Sequence, residues 1–106
     1  MKKCMIKVTV FYPNGEGKTF DMDYYCRKHM AMVSKLAGKA LKNMTVEKGI
    51  AGLAPNSPAP YAAMGNMYFK SIEAFQEAFS KADQLMGDIP NFTNIEPVFQ
   101  ISEVMM

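Results

Sequence analysis

His29 is the only histidine in this sequence of 106 residues, and no other side chain has an ordinary pKa close to neutral pH. An unperturbed imidazole pKa of ~6.5 suits a general acid or base, because the ring can take up and release a proton at working pH. Tyr25 precedes His29 by one helical turn, so the two side chains lie within reach on one helix face. The pair indicates either a proton-transfer site or a core histidine hydrogen-bonded to Tyr25 or to a backbone carbonyl.

Other chemistry is poorly supported by the residue types. Cys26 could form a nucleophilic pair with His29, but a cysteine on an apolar helix face is usually an inert filler. Cys4 and Cys26 lack metal-type spacing, so we expect free thiols and no metal site. The run 14–17 lacks the Lys-Ser/Thr of a phosphate loop, and no Gly-x-Ser-x-Gly elbow occurs.

A helix must position His29 and Tyr25. Asp21 or Thr19 can cap its start, the helix should run to about Leu36, and Gly38 is a plausible end signal. At roughly 100° per residue, His29 falls near the middle of the apolar arc and should point at the sheet. We expect a buried, neutral imidazole without an acidic partner. The other members of this arc are Met22, Tyr25, Cys26, Met30, Met32, Val33, Leu36 and Ala37.

The remaining segments predict an α+β fold in the order strand, helix, strand, strand, helix, strand. Strands are expected at 4–12, 41–50, 61–69 and 95–104, and a second helix should begin after Ser71, bury a stripe that reaches Met86, and end at 87–90. Two helices cover only one face of a four-stranded sheet. The uncovered face is too apolar to lie bare, which predicts a homodimer. It would carry Lys7, Thr9, Phe11, Met64, Asn66, Tyr68, Val98 and Gln100.

Composition limits the partners and the location. The length fits one domain spanning residues 1–106. A net charge of +2, with both signs spread along the chain, leaves no basic patch for nucleic acid or an anionic membrane. No stretch approaches the ~20 apolar residues of a membrane helix, and Lys7 and Thr9 interrupt any signal peptide. We expect a cytoplasmic protein.

Two motifs resemble those of the EthD family, which is named for a component of an ethyl tert-butyl ether degradation system. The run 20–30, FDMDYYCRKHM, followed by Val33, is similar to the family's helix motif, and the run 88–93, DIPNFT, to its second motif. Further agreement comes from Tyr12-Pro13, Pro60-Tyr61, Phe69 and Phe75. The resemblance implies a ferredoxin-like βαββαβ protomer of a dimeric α+β barrel, with four antiparallel strands and two helices on one face. It also implies that His29 is the characteristic histidine, with Tyr25 beside it.

The resemblance has one departure and several functional consequences. Ala31 stands where the family usually has proline, so we expect a straighter helix and a narrower cleft. The function implied is cofactor-independent acid/base catalysis, of oxidoreductase, isomerase or cyclase type, on a small apolar oxygen-bearing compound. His29 would move the proton, and Tyr25 would orient it or stabilise an oxyanion. The expected lining residues are Tyr12, Tyr61, Asn66 and Phe69.

Two alternatives remain open at the level of sequence. The protein could be a non-catalytic accessory or binding protein that holds a hydrophobic metabolite for a partner oxygenase. It could also bind haem, with His29 as the axial ligand.

Overall fold

The computed structural model describes residues 5–106, in which the strands and helical segments follow one another in the predicted order. Cys4, which the alternating pattern places in the first strand, lies outside the described residues. The strands are β1 (Ile6–Pro13), β2 (Asn43–Lys48), β3 (Tyr61–Phe69) and β4 (Val98–Glu103). The helices are α1 (22–37), α2 (Ile72–Ala78) and α3 (Asp83–Asp88), with short 3₁₀ turns at Gly38–Ala40 and Ile89–Asn91.

The four strands form one antiparallel sheet in the order β2-β3-β1-β4. Val8 lies opposite Met67 and Ile101, and its neighbour Thr9 lies opposite Asn66 and Gln100. Because side chains alternate along each strand, this register confirms the predicted division into two faces. The outer face, which the helices leave uncovered, carries Lys7, Thr9, Phe11, Met64, Asn66, Tyr68, Val98 and Gln100.

The core lies between the helices and the inner face of the sheet. Val8, Val10 and Tyr12 alternate along β1 and are all buried, while Phe69 at the end of β3 is fully enclosed. The strand predicted at 61–69 is confirmed. β2 and β4 are shorter than predicted, and Ile50 lies beyond β2 with 91 % of its surface exposed.

The predicted limits of α1 are confirmed at both ends. The Asp21 carboxylate accepts a hydrogen bond from the Tyr24 backbone N–H at 3.0 Å and caps the helix. Gly38 ends it with φ 57°, a left-handed conformation that glycine adopts without a steric penalty. Cys26 is a free cysteine with an exposed side chain. The prediction that it belongs to the buried face of α1 is therefore wrong.

The second helix is broken, contrary to the single helix that the sequence predicts. Ser71 caps α2 by accepting a hydrogen bond from the Ala74 backbone N–H at 3.1 Å, as expected. The backbone then leaves the helical region at Phe79 (ψ 20°) and re-enters a helix after Ala82. Because α3 starts with a new phase, Met86 is half exposed and does not continue the apolar stripe of α2. Among the residues described, no helix has the length and apolar character needed to cross a membrane.

Candidate functional site

A cavity of about 220 Å³ lies between the helices and the inner face of the sheet. The sheet contributes Val8, Val10, Tyr12, Met67 and Phe99, and α1 contributes Tyr25, His29, Met30 and Val33. The segment that contains α2 and α3 contributes Phe75, Phe79, Ala82, Leu85, Met86 and Ile89. Phe99 and Met86 are each about half exposed, so the cavity reaches the surface beside β4. Most of these side chains are apolar. The polar groups among them belong to Tyr12 on β1 and to Tyr25 and His29 on α1.

His29 is buried in this wall, as its place in the apolar arc predicts, with 6 % of its surface exposed. It does have an acidic partner, contrary to expectation: its Nδ1 lies 2.9 Å from Oδ2 of Asp88. The second carboxylate oxygen, Oδ1, accepts hydrogen bonds from the Tyr24 hydroxyl at 2.7 Å and from the Asn91 amide at 2.9 Å. Three donors from two parts of the chain therefore hold one buried carboxylate.

The three hydrogen bonds keep Asp88 ionised. Burial alone would raise the pKa of Asp88, but hydrogen bonds from Asn91, His29 and Tyr24 outweigh it and hold this pKa below its ordinary value. The same carboxylate raises the pKa of Tyr24, because its phenol donates to a negative charge and would lose that bond on ionisation. An ionised carboxylate only accepts hydrogen bonds, so Nδ1 of His29 must carry a proton.

The position of this proton on Nδ1 determines which hydrogen-bonding group His29 can offer to a ligand. A neutral imidazole has one proton, and Asp88 fixes that proton on Nδ1. Nε2 is then an acceptor, and it has no hydrogen-bond partner within residues 5–106. His29 can therefore receive a proton at Nε2, and the imidazolium that forms would lie against the Asp88 carboxylate.

Tyr25 stacks on His29 but does not bond to it. The two rings are nearly parallel, at 14°, with centroids 5.4 Å apart. The Tyr25 hydroxyl lies against the sheet, directly over Gly65. The ring of Tyr12 meets Tyr25 edge-on at 5.6 Å. Of the alternatives left open by the sequence, a hydrogen bond from the Tyr25 hydroxyl to the imidazole is not observed, and the bonded partner of Nδ1 is Asp88.

Both phenols at the cavity stay protonated. Burial raises the pKa of Tyr12 to about 12, and the contact with the Tyr25 hydroxyl offsets only part of this effect. Burial also raises the pKa of Tyr25, and the neighbouring Tyr12 adds to the rise. Tyr12 and Tyr25 are therefore neutral hydrogen-bond donors across the physiological range.

A π-helical turn in α1 places these residues. The helix consists of the stretches Met22–Tyr24, Tyr25–His29 and Met30–Ala37, and the middle stretch is π-helical. The Met30 backbone N–H bonds to the Tyr25 carbonyl, five residues back. Turns of this kind are rare in proteins overall, and those that do occur often lie at functional sites. The straighter helix expected from Ala31 is therefore not found. The irregular turn lies just before Ala31 in the chain, and Ala31 itself is exposed.

Of the four residues predicted to line the cleft, only Tyr12 does so. Tyr61 lies beside Phe11 with ring centroids 5.3 Å apart, towards the outer face. Asn66 is buried on the outer face, where its amide donates to the Thr45 hydroxyl and the Glu47 carboxylate. Phe69 is enclosed in the core against Phe75 and Phe79. Alternation along β3 explains why Asn66 does not line the cavity: it shares the outer face of the sheet with Met64 and Tyr68.

Asp88 is the residue that sequence reasoning missed. It lies 59 positions after His29 and at the last position of α3, and the sequence patterns place it in a helix-ending run and in the second motif but predict no chemical role for it. The signal that could have found it is the second of the two motifs, which begins at Asp88. Within the described part of the chain, no three His, Cys, Asp or Glu side chains are grouped as a metal ion would require.

The fold and the cavity together define a ferredoxin-like α+β protein with a histidine–carboxylate pair under its helices. The EthD domain model matches residues 14–96, and the chain therefore belongs to the EthD family. No curated protein matches the sequence.

Solved structures agree with this assignment. An EthD-like protein from Ralstonia eutropha JMP134 is 45% identical, with a TM-score of 0.92 over 99% of this chain and 96% of its own. An ethyl tert-butyl ether degradation (EthD) family protein from Bacillus halodurans C-125 is 23% identical, with a TM-score of 0.72 over 95% and 99%. A dimeric ferredoxin-like protein of unknown function from Thermobifida fusca YX is 16% identical, with a TM-score of 0.60 over 98% and 94%. The fold is the ferredoxin-like α+β fold that these structures share.

Proposed function

We propose that this protein is a cofactor-independent acid/base enzyme that acts on a small, mostly apolar, oxygen-bearing compound in the cavity. The observation that carries the proposal is that His29 lines the cavity while its Nδ1 is bound to the buried carboxylate of Asp88. A core histidine needs only a partner, whereas this one also lines a space large enough for a ligand.

Each polar residue has a separate role in this proposal. His29 takes a proton from the ligand at Nε2 and returns it to the product. Asp88 is a positioning residue, because it fixes the ring and stabilises the imidazolium. Tyr25 and Tyr12 donate hydrogen bonds to negative charge that develops on a ligand oxygen. The apolar wall excludes water from the reacting groups, which strengthens these interactions.

The test is a panel of small phenolic and enolisable compounds assayed for turnover by the purified protein. We expect His29→Gln to lower kcat/KM for a turned-over compound by about 10²–10⁴-fold, the usual contribution of a general acid or base. Glu77→Gln, on the exposed side of α2, should leave the rate unchanged. Tight binding without turnover of any member would contradict catalysis and favour a binding protein.

The homodimer is part of the same proposal, with a second copy of the chain covering the outer face of the sheet. The supporting observations are the apolar side chains there, including Phe11, Tyr68 and the half-exposed Val98. The Thermobifida fusca relative is itself described as dimeric. Light scattering should give about twice the chain mass of 11.9 kDa.

A matched pair of substitutions tests where the second copy docks. Phe11→Lys places a charge at the centre of the outer face and should weaken association about tenfold or more, because a buried lysine would be unpaired. Glu77→Lys places the same charge on α2, away from that face, and should leave association unchanged. Equal effects in analytical ultracentrifugation would exclude the outer face as the interface.

A further inference from the structure

We propose that the cavity selects a neutral aromatic compound with a weakly acidic hydroxyl group, such as a phenol or a ring-conjugated enol, and that His29 removes the hydroxyl proton. This inference rests on the proposed function, because it names the ligand class of the same site. Three properties of the cavity support it: its charge, the polarity of its hydrogen-bonding groups and its aromatic lining.

The charge of the wall excludes an anionic ligand. Among the described residues that line the cavity there is no lysine or arginine. His29 is hydrogen-bonded to the Asp88 carboxylate, whose lowered pKa keeps it negatively charged. A carboxylate or phosphate entering this space would bring a second negative charge that no basic group compensates. The ligand must therefore arrive neutral, and any negative charge must be generated inside.

The polarity of His29 selects a hydroxyl group. With its proton held on Nδ1 by Asp88, the neutral ring offers Nε2 as an acceptor. An acceptor in an apolar pocket favours a ligand that donates, since an ether or ketone oxygen would leave it unpaired. Proton transfer breaks the ligand O–H bond and forms the Nε2–H bond, and the electron pair stays on the ligand oxygen. The imidazolium is then balanced by Asp88.

The phenols of Tyr12 and Tyr25 complement the anion that forms. Both line the same cavity, and burial keeps both hydroxyls protonated. Neutral donors stabilise an oxyanion through hydrogen bonds, so they favour proton transfer from the bound hydroxyl to His29 although no basic side chain lines the cavity.

The lining and the volume favour a ring. Phe75 within α2, Phe79 at its end and Phe99 on β4 contribute aromatic surface from two elements. Apolar cavities of ~150 Å³ bind benzene, so about 220 Å³ accommodates one substituted ring or two fused rings. The opening beside Phe99 and Met86 allows a substituent to extend towards solvent.

The probe pair 4-nitrophenol and 4-nitroanisole tests this inference on the full chain. They share a ring and a nitro group, but only the phenol has a hydroxyl proton, and its ionised form is yellow. We expect the bound phenol to ionise at a pH about one unit or more below that of the free probe. The anisole should bind about tenfold more weakly or worse, because it leaves Nε2 unpaired. His29→Gln should abolish the ionisation shift while the apolar wall still binds the ring.

Two further variants separate the possible failures. Asp88→Asn should also reduce the ionisation shift, so the result does not depend on His29→Gln folding. Ala82→Phe fills the cavity and should abolish binding of both probes. Equal affinities with no ionisation shift, still lost in Ala82→Phe, would overturn the hydroxyl selection and leave the cavity as a ligand site. Binding of neither probe, or binding that Ala82→Phe does not affect, would overturn the proposed function as well.

Discussion

Asp88→Asn is expected to lower the free energy of unfolding at pH 7 by about 2–4 kcal/mol. The carboxylate accepts three hydrogen bonds, from His29, Tyr24 and Asn91, and it is buried with 8 % of its surface exposed. An asparagine offers only one acceptor oxygen. Its NH2 group is itself a donor, so it would face one or more of the three donors without forming a hydrogen bond. Asp83→Asn is the matched control, because Asp83 is exposed at the start of the same helix. Urea denaturation of the three proteins measures the difference, and equal losses in both variants would contradict the role of Asp88.

The same carboxylate should make the fold sensitive to acid. Because the pKa of Asp88 is lower in the folded protein than in the unfolded chain, its contribution to stability is complete above the unfolded value of ~3.9. It is lost as the pH falls from there through the folded pKa. Asp88→Asn should remove this component, so the stability difference between the two proteins should narrow below about pH 4. A difference that stays constant from pH 7 to pH 3 would exclude an ionised Asp88 as its source.

Gly65→Ala is expected to destabilise the protein by about 2 kcal/mol, because the cavity wall leaves no room for a methyl group there. A Cβ at this position would overlap the Tyr25 hydroxyl oxygen, and it would also lie 3.2 Å from the ring carbon that carries this hydroxyl. Tyr25 would have to move, and its stacking on His29 would be disturbed. Gly87→Ala is the control, since a Cβ at Gly87 meets no atom within 4 Å.

A double substitution shows whether the hydroxyl is the cause. Tyr25→Phe removes the atom that a methyl group at Gly65 would meet first, and it leaves the His29–Asp88 hydrogen bond in place. Adding Gly65→Ala to Tyr25→Phe should therefore cost about 1 kcal/mol less than adding it to the wild type. Additive losses in thermal or urea denaturation would mean that the contact with the Tyr25 hydroxyl is not what limits this position.

Local patterns were sufficient to predict most of the fold. Alternation along β1 and β3 assigned the two sheet faces, and Asp21, Gly38 and Ser71 marked helix ends through side-chain caps and a left-handed turn. These features depend on neighbours within a few residues. The break at 79–82 was not predictable in the same way, because residues 72–86 retain an apolar helical period across it.

The site was only half predictable for a related reason. The helical period placed His29 inside the protein, but its hydrogen-bond partner, Asp88, comes from the end of α3, 59 positions away. Such a contact is set by how the helices pack on the sheet and not by any local pattern. Cys26 was misplaced because a constant 100° per residue does not hold through the turn at Tyr25–His29. Asn66 was assigned to the cleft against the alternation of its own strand.

The π-helical turn of α1 has a consequence for comparing this chain with its relatives. The bond from the Met30 N–H to the Tyr25 carbonyl encloses one residue more than a regular turn. Deleting one residue there would restore regular bonding and leave the residues from Met30 onward facing nearly the same way, because the wider turn takes up the extra residue. The helical period of the buried positions after the turn is therefore offset by one residue from the period before it. An alignment that places a one-residue gap elsewhere in α1 would pair buried positions of one protein with exposed positions of the other.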